Sequence, residues 1–271
     1  DEIAEAYERH WGPVIRPGAE QVLDLVAPAI EAAVTRGATP HLLDVGTGTG
    51  TLALKALERW PGIEVTGADP SSGMLELARR AADRRLPPEQ AVRYRTEVGW
   101  ADELPFGDGA FDLAVSSFVL QLVPDRGRAL REVRRVLRPS GRFAWVAWQR
   151  SSRPYEPDRV ANEVLDEAGF DPPEDGGRNG DVASARAAAQ SMRRAGFREV
   201  TAREDEVAHA WTPAGYLAFL TEFDEASLFA ELDRAERRDI QREILRRLQR
   251  LTREQLTLRL PVVHAQGRAP G

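Results

Sequence analysis

Short apolar runs alternate with segments of helical periodicity over the first half of the chain. The predicted strands cover 41–45, 63–68, 91–96, 111–116 and 142–148. The predicted helices between them cover about 50–59, 72–85 and 125–137, with Ser71 or Ser72 as the cap of the second. Alternation at this spacing is typical of parallel βαβ units with helices on both faces of the sheet.

The two ends of the chain add helices and two more strands to this pattern. Residues 3–35 are predicted to be helical, with interruptions at Gly12-Pro13 and Pro17-Gly18. The second half is predicted to form a helix at about 182–195, a strand near 198–208, helices over 213–255 and a last strand at 256–264. The sheet therefore resumes after a long helical insertion, and seven strands are expected in all.

Composition narrows the possible partners. The 271 residues carry a net charge of −6 and no cysteine, which excludes disulfides and thiolate chemistry and removes the usual zinc ligands. An acidic chain gives a nucleic-acid backbone no overall attraction. No apolar run approaches membrane-spanning length, and the first residues are acidic rather than basic. We therefore expect no metal, nucleic acid or membrane partner, and a cytoplasmic location.

Three alternating glycines follow the first strand and its acidic residue Asp44. Gly46, Gly48 and Gly50 let the backbone approach a ligand closely, and the next helix begins with free N–H groups. A purely structural glycine turn is the alternative. Thr51 stands where a dinucleotide-binding G-x-G-x-x-G motif would have its third glycine, which disfavours a dinucleotide.

A second acidic residue, Asp69, ends the second predicted strand. A carboxylate at this position can accept hydrogen bonds from the hydroxyl groups of an adenosine ribose. The alternative is that Asp69 caps the following helix.

Four ordered blocks together resemble one family. They are Leu42–Gly50, Gly67–Leu75, Ala101–Asp112 and Leu130–Gly141. They resemble the class I S-adenosylmethionine-dependent methyltransferases, and in particular the small-molecule branch of the ubiquinone/menaquinone type. The resemblance covers about 40–150. It implies a Rossmann-like, mostly parallel seven-stranded sheet and S-adenosylmethionine as the cofactor, with S-adenosylhomocysteine as its product.

The resemblance also assigns roles along this cofactor. Asp44 and the turn formed by Gly46, Thr47, Gly48 and Gly50 would hold the methionine end, and Asp69 the ribose. Pro70 and Met74 would flank the adenine. Trp100 and Ala101 replace the usual acid and small residue at the adenine edge, so Trp100 either stacks on the cofactor or packs as an ordinary half-buried residue. Ser116 and Ser117 would lie where the cofactor meets the substrate.

No catalytic residue is assigned. The family often has Leu-His-His after the fourth strand, whereas this chain has Leu120-Gln121-Leu122. Gln121, His10 and His209 are therefore the only candidates that we retain. Tyr7 and Trp11 are expected to fold over the cofactor as part of an N-terminal lid. The arginines of 237–248 are expected to form the solvated face of an amphipathic helix.

These expectations give a domain plan and a function. Residues 1–40 form a helical lid segment, 41–208 and 256–271 the cofactor-binding core, and 209–255 a helical substrate cap, with 151–182 as a mobile substrate-side loop. We expect a monomeric or homodimeric enzyme that moves a methyl group to an O, N or C atom of a small, apolar or aromatic metabolite of secondary metabolism. The alternatives are a protein that binds the cofactor without transferring methyl, and an NAD-dependent oxidoreductase.

Overall fold

A seven-stranded sheet is the main feature of the computed structural model, which describes residues 6–151, 154–170 and 180–271. Strands β1 to β7 are His41–Val45, Glu64–Asp69, Tyr94–Val98, Phe111–Ser117, Leu137–Trp148, Arg198–Ala210 and Thr257–Arg268. Their spatial order is β3-β2-β1-β4-β5-β7-β6. Neighbouring strands from β3 to β5 pair in parallel, and β7 pairs antiparallel with β5. The predicted mostly parallel, seven-stranded α/β sheet is confirmed.

Helices connect and cover these strands. The α-helices are Gly12–Thr35, Thr51–Arg59, Ser72–Arg85, Pro88–Ala91, Arg126–Val136, Glu156–Glu167, Ala185–Arg194, Pro213–Phe219, Ala226–Glu231 and Arg234–Leu248. Single turns of π-helix occur at Tyr7–Trp11 and Leu220–Asp224. Ser71 caps the helix Ser72–Arg85, because its hydroxyl group accepts a hydrogen bond from the Met74 N–H. The central strands are apolar because both of their faces are covered.

The N-terminal helix is longer than predicted. It runs unbroken from Gly12 to Thr35 with Pro17 inside it, so the predicted interruption at Pro17-Gly18 was wrong. A proline in a helix removes one backbone hydrogen bond and costs about 3 kcal/mol. The side chains of Val22, Leu23 and Ile30 are almost completely buried, and burying each one contributes about 1.5–3 kcal/mol. The packing of the apolar face therefore outweighs the local cost.

The starts of two strands differ from the prediction by more than one residue. The third strand begins at Tyr94 rather than at about 91, because Pro88–Ala91 forms a short helix. The fifth strand begins at Leu137, which pairs with Phe111 before the register shifts. Pro139, Ser140 and Gly141, which precede the predicted start at 142, thus lie within this strand, and Ser140 has a φ of 68°.

The contacts divide the chain into two compact units. The first combines Asp1–Val14, Ser151–Arg178 and Val207–Leu260. Its core of aromatic and aliphatic side chains includes Trp211, Tyr216, Phe219, Phe229, Ile244 and Leu248. Ile240, Ile244 and Leu248 are buried on one face of the helix Arg234–Leu248, while Arg246 pairs with Glu243 at 2.5 Å. The predicted amphipathic helix with a solvated arginine face is confirmed.

The predicted loop over 151–182 was wrong for its first half. Residues Glu156–Glu167 form a helix with Pro157 in its first turn, where a missing N–H leaves no bond unmade. Val160, Val164 and Leu165 recur at helical spacing and are buried in the first unit. The predicted mobile centre, 171–177, lies outside the described residues.

The second unit combines Ile15–Arg150, Asn179–Glu206 and Pro261–Gly271. It contains β1 to β5 and the glycine-rich turn. Most of residues 1–40, predicted as a separate lid segment, therefore belongs to the same unit as β1. His264 in β7 shows one of the contacts responsible, because its Nε2 donates a hydrogen bond to the Gly18 carbonyl oxygen at 3.0 Å.

Candidate cofactor site

The glycine turn after β1 has two kinds of glycine. Gly46, Gly48 and Gly50 all have left-handed φ angles, of 72°, 53° and 83°. A Cβ atom on Gly46 would lie 2.3 Å from Val119 Cγ2, and one on Gly50 would lie 3.1 Å from Ala78 Cβ. A Cβ atom on Gly48 would meet nothing within 4 Å. Gly46 and Gly50 are thus required by packing, whereas Gly48 borders open space that a ligand can occupy.

Asp44 lies beneath this turn with only 1% of its surface exposed. Thr47 Oγ1 donates a hydrogen bond to Asp44 Oδ2 at 2.8 Å, and the Ala53 backbone N–H also faces this carboxyl group. Burial, together with the nearby negative charge of Asp69, raises the pKa of Asp44 to about 7, although the hydrogen bonds from Thr47 and the Ala53 N–H act in the opposite direction. The site therefore contains a buried carboxyl group whose ionised form a cationic ligand would stabilise.

Tyr94 lies beside the candidate site, and the sequence interpretation did not include it. Its hydroxyl oxygen lies 3.2 Å from Thr47 Oγ1, and its ring is buried at the start of β3. A Cβ atom on Gly67 of β2 would lie 2.7 Å from the Tyr94 hydroxyl oxygen, so only glycine leaves room for that group. An isolated glycine inside a strand often marks the close approach of another group, and this signal was present in the sequence.

Asp69 connects the glycine turn to the helix after β2. The Gly48 N–H donates to Asp69 Oδ2 and the Ser71 N–H donates to Asp69 Oδ1, both at 2.9 Å. Since Ser71 caps the helix, the alternative interpretation of Asp69 as its cap was wrong. Each carboxylate oxygen can accept more than one hydrogen bond, so Asp69 retains acceptor capacity for a ligand. Pro70 is exposed beside it and Met74 is half-buried.

Trp100 and Ala101 follow β3 and differ strongly in exposure. Trp100 is 64% exposed and Ala101 is buried. Ordinary half-buried packing, one of the two interpretations of Trp100, was therefore wrong, since the indole lies on the surface of its unit.

The block from 101 to 112 is held by the helix Arg126–Val136. Glu132 Oε2 accepts a hydrogen bond from the Leu104 N–H at 3.1 Å. Arg135 donates to the carbonyl oxygens of Phe106 at 2.7 Å and Leu104 at 3.1 Å. Side chains of the block Leu130–Gly141 thus hold the backbone of the block Ala101–Asp112 in place.

The two serines at the end of β4 differ in availability. Ser116 is fully buried, and its hydroxyl group donates to the Val45 carbonyl oxygen at 2.9 Å. This bond joins β4 to β1 and occupies the only proton of the hydroxyl group. Ser117 is half-buried at the strand end, and Phe118 follows with a φ of 55°.

Comparison with known proteins identifies the core. Residues 43–145 match a family described as "Methyltransferase domain". The match covers less than half of this chain, and the matched segment is similar to a methyltransferase domain. The chain is 43% identical over 115 residues to a demethylmenaquinone methyltransferase of Thermus thermophilus, with 42% of this chain and 50% of that protein covered. It is also 38% identical over 128 residues to a malonyl-[acyl-carrier protein] O-methyltransferase of Geobacter sulfurreducens, with coverages of 47% and 43%.

The chain thus spans about half the length of these curated relatives. A solved structure, the YcgJ protein of Bacillus subtilis, superposes with a TM-score of 0.59 and 21% identity. The superposition covers 93% of this chain and 99% of the other and shows that the two share a fold. The cofactor of a class I methyltransferase domain is S-adenosylmethionine, which favours this cofactor over the dinucleotide alternative.

The geometry of the methyltransferase domain fits this cofactor. Open space borders Gly48, the buried Asp44 accepts a hydrogen bond from Thr47 of the glycine turn, and the partly exposed Asp69 accepts one from the Gly48 N–H. A cationic amino-acid end needs a carboxylate, and a ribose needs a hydrogen-bond acceptor. Both groups are present in one unit, on the carboxyl ends of adjacent strands.

Gln121 also belongs to the unit that contains the methyltransferase domain. It is buried after β4, and its Oε1 has no hydrogen-bond partner within the described part of the chain. The backbone is closely packed here, because a Cβ atom on Gly180 would lie 1.6 Å from the Gln121 carbonyl oxygen. A carboxamide is neutral, so Gln121 can orient a group but cannot accept a proton as a base.

The remaining candidates lie in the first unit. His10 Nε2 is 2.9 Å from Glu222 Oε2, and Arg9 pairs with the same carboxylate. Tyr7 meets Phe223 edge to face, and Trp11 stacks on Phe219 with ring centroids 5.6 Å apart. His209 packs against Trp211, and burial lowers its pKa. These contacts are internal to that unit, so the lid and base roles stay predictions.

The structure adds two observations on other partners. Within 6–151, 154–170 and 180–271 there is no cluster of three or more His, Asp or Glu side chains that could hold a metal ion. None of the helices in these ranges combines the length and the apolar character needed to cross a membrane.

Proposed function

We propose that this chain transfers a methyl group from S-adenosylmethionine to an O, N or C atom of a small, apolar or aromatic metabolite. The observation that carries the proposal is the arrangement around the glycine turn of a methyltransferase domain. Asp44, the open space at Gly48 and Asp69 lie there together. The relatives with quinone and acyl-carrier substrates support a small or carrier-bound acceptor.

In this proposal each residue has a physical task. The Asp44 carboxylate binds the ammonium group of the amino-acid end, and Asp69 accepts hydrogen bonds from the ribose hydroxyl groups. Pro70 and Met74 provide apolar contacts to the adenine, and the exposed indole of Trp100 stacks on it. When bound, the cofactor supplies a methyl group already activated by its sulfonium. The chain therefore has to align the acceptor and exclude water.

The acceptor side of the proposal rests on the end of β4. Ser117 and Gln121 are the polar side chains there that we assign to contact the acceptor, and neither is a base at neutral pH. An amine, or an oxygen or carbon nucleophile that ionises readily, needs less help from a base than an alcohol does. We therefore expect phenolic, enolic or amine acceptors to react faster than aliphatic alcohols.

Calorimetry and a product assay test this function together. Titration with S-adenosylhomocysteine, S-adenosylmethionine and NAD should give binding with the first two alone. Incubation with S-adenosylmethionine and a panel of phenols, quinols, amines and aliphatic alcohols should yield S-adenosylhomocysteine and a methylated product by mass spectrometry. Binding without turnover across the panel would favour the alternative of a non-methylating protein. Binding of NAD alone would overturn the proposal.

A further inference from the structure

A buried chain of hydrogen bonds runs beneath the glycine turn through three elements. Asp44 ends β1, Thr47 lies in the turn and Tyr94 begins β3, with exposures of 1%, 6% and 8%. Thr47 Oγ1 lies 2.8 Å from Asp44 Oδ2 and 3.2 Å from the Tyr94 hydroxyl oxygen. Thr47 therefore joins the carboxyl group to the tyrosine.

When Asp44 is ionised, the number of available protons determines which group donates in each of these hydrogen bonds. A threonine hydroxyl group has one proton, and Thr47 donates it to Asp44. The bond between Thr47 and Tyr94 can then form only if Tyr94 is the donor. Burial raises the pKa of Tyr94, which keeps its hydroxyl group protonated and able to donate.

Two glycines leave room for the Tyr94 hydroxyl group. A Cβ atom on Gly67 would lie 2.7 Å from this oxygen and one on Gly50 would lie 3.2 Å from it. The charged groups that face it are Asp44 on β1, Asp69 on β2 and Arg79 on the helix Ser72–Arg85. Arg79 itself donates to Thr96 Oγ1 at 2.6 Å.

We propose that Tyr94 is a positioning residue for the amino-acid end of the cofactor, acting through Thr47 on Asp44. The proposal rests on the proposed function. When Tyr94 donates to Thr47 Oγ1, the Thr47 hydroxyl group directs its own proton to Asp44 Oδ2. This bond favours the ionised carboxyl group and orients it. Tyr94 then affects both how tightly the ammonium group binds and the pH at which Asp44 ionises.

The test is calorimetric titration of S-adenosylhomocysteine from pH 5.5 to 8.5 with three variants. In the unchanged chain, affinity should rise with pH as Asp44 ionises, with a midpoint near 7. Tyr94→Phe should weaken binding about three- to tenfold at pH 8 and move the midpoint of the pH profile upward. Thr47→Val breaks the same chain, so the double variant should be little weaker than Thr47→Val alone.

Thr66→Val is the matched control. Thr66 is also buried, but its hydroxyl group meets His41 Nε2 at 2.8 Å and has no link to Asp44. This variant should leave affinity and the midpoint unchanged, and thermal melting of every variant reports on folding.

Two outcomes would overturn the role of Tyr94. One is an unchanged affinity and midpoint in Tyr94→Phe. The other is a loss of affinity with an unmoved midpoint and full additivity with Thr47→Val, which indicates a merely structural effect. Failure of the unchanged chain to bind S-adenosylhomocysteine at any pH would instead reject the proposed function.

Discussion

A buried carboxyl group at the end of β1 is costly for the fold. Asp44 is almost completely buried beside Asp69, so its ionised form is disfavoured by burial and by a second negative charge. A hydrogen bond from Thr47 offsets only part of this cost. Such a conflict between stability and charge is typical of a functional site rather than of packing.

Replacing this group with a neutral one should stabilise the chain in a pH-dependent manner. The pKa of Asp44 rises from an ordinary 3.8 to about 7 on folding, so between these values the native state binds more protons than the unfolded state. Stability therefore falls as pH rises through that window. Asp44→Asn should raise the melting temperature more at pH 8 than at pH 5. Calorimetric melting at both pH values checks this. An equal difference in melting temperature between the variant and the unchanged chain at pH 5 and pH 8 would contradict it.

Gly48 and Gly37 have similar backbone conformations, so alanine variants at the two positions distinguish the effect of backbone strain from the effect on ligand binding. Gly48 has a φ of 53° and Gly37 a φ of 76°, and a Cβ atom on either would meet nothing within 4 Å. Alanine at each position should lower stability by about 1–2 kcal/mol through left-handed strain. Only Gly48→Ala places a methyl group in the open space of the turn. It should weaken S-adenosylhomocysteine binding by about tenfold or more, equivalent to about 1.4 kcal/mol.

Calorimetry and urea unfolding of Gly48→Ala and Gly37→Ala distinguish these effects. Equal affinities in the two variants would mean that the open space beside Gly48 is not where the ligand binds.

The sequence pointed to those candidate site residues that carry a local signal. Asp44, the alternating glycines and Asp69 follow strands and precede helices, so their neighbours in sequence reveal them. Tyr94 lies 47 positions after Thr47 in the chain, and its role depends on strand order. Ser116 shows the converse, since its polar side chain at the expected strand end makes a bond to Val45 that no local pattern predicts.

At the scale of elements, the errors have a common physical cause. Pro17 was interpreted as a break, Pro157 fell in a predicted loop and Pro139-Ser140-Gly141 fell before the predicted fifth strand, yet each lies in a helix or a strand. A proline in a first turn loses no bond, and one further along is tolerated when the apolar face is well buried. Local propensity is thus overridden by tertiary packing, which the sequence pattern does not contain.

The helix Arg126–Val136 provides an element-scale prediction. Arg135 donates to two backbone carbonyl groups of the 104–106 segment, and its side chain is 31% exposed. Arg135→Gln should lower the free energy of unfolding by about 1–3 kcal/mol, because those carbonyl groups lose charged donors. Arg131 on the same helix is 56% exposed and only 4.0 Å from Asp125. Arg131→Gln should change stability by less than about 0.5 kcal/mol.

Urea unfolding of the Arg135 and Arg131 variants measures the difference. Similar losses in both would show that the bonds to the 104–106 segment add nothing to the stability of the fold.

At the scale of the whole molecule, the first unit is discontinuous in sequence. It joins an N-terminal segment, the segment after β5 and the 207–260 segment. The sequence marked most of these residues, within 1–40, 151–182 and 209–255, as outside the sheet, because their pattern departs from the alternation of strands and helices. It could not show that they share one core, since contacts between segments that are distant in the sequence leave no local pattern.

Hydrogen exchange provides the final prediction at this scale. All residues that we assign to the amino-acid end and the ribose lie in the second unit. Saturation with S-adenosylhomocysteine at about 100 times its Kd should stabilise that unit by about 2.7 kcal/mol. Exchange should slow most over 41–51 and 66–74, with 234–248 as the reference. Slower exchange over 7–11 would also support the predicted lid role of Tyr7 and Trp11, whereas slowing at 234–248 with none at 41–51 would contradict the assigned site.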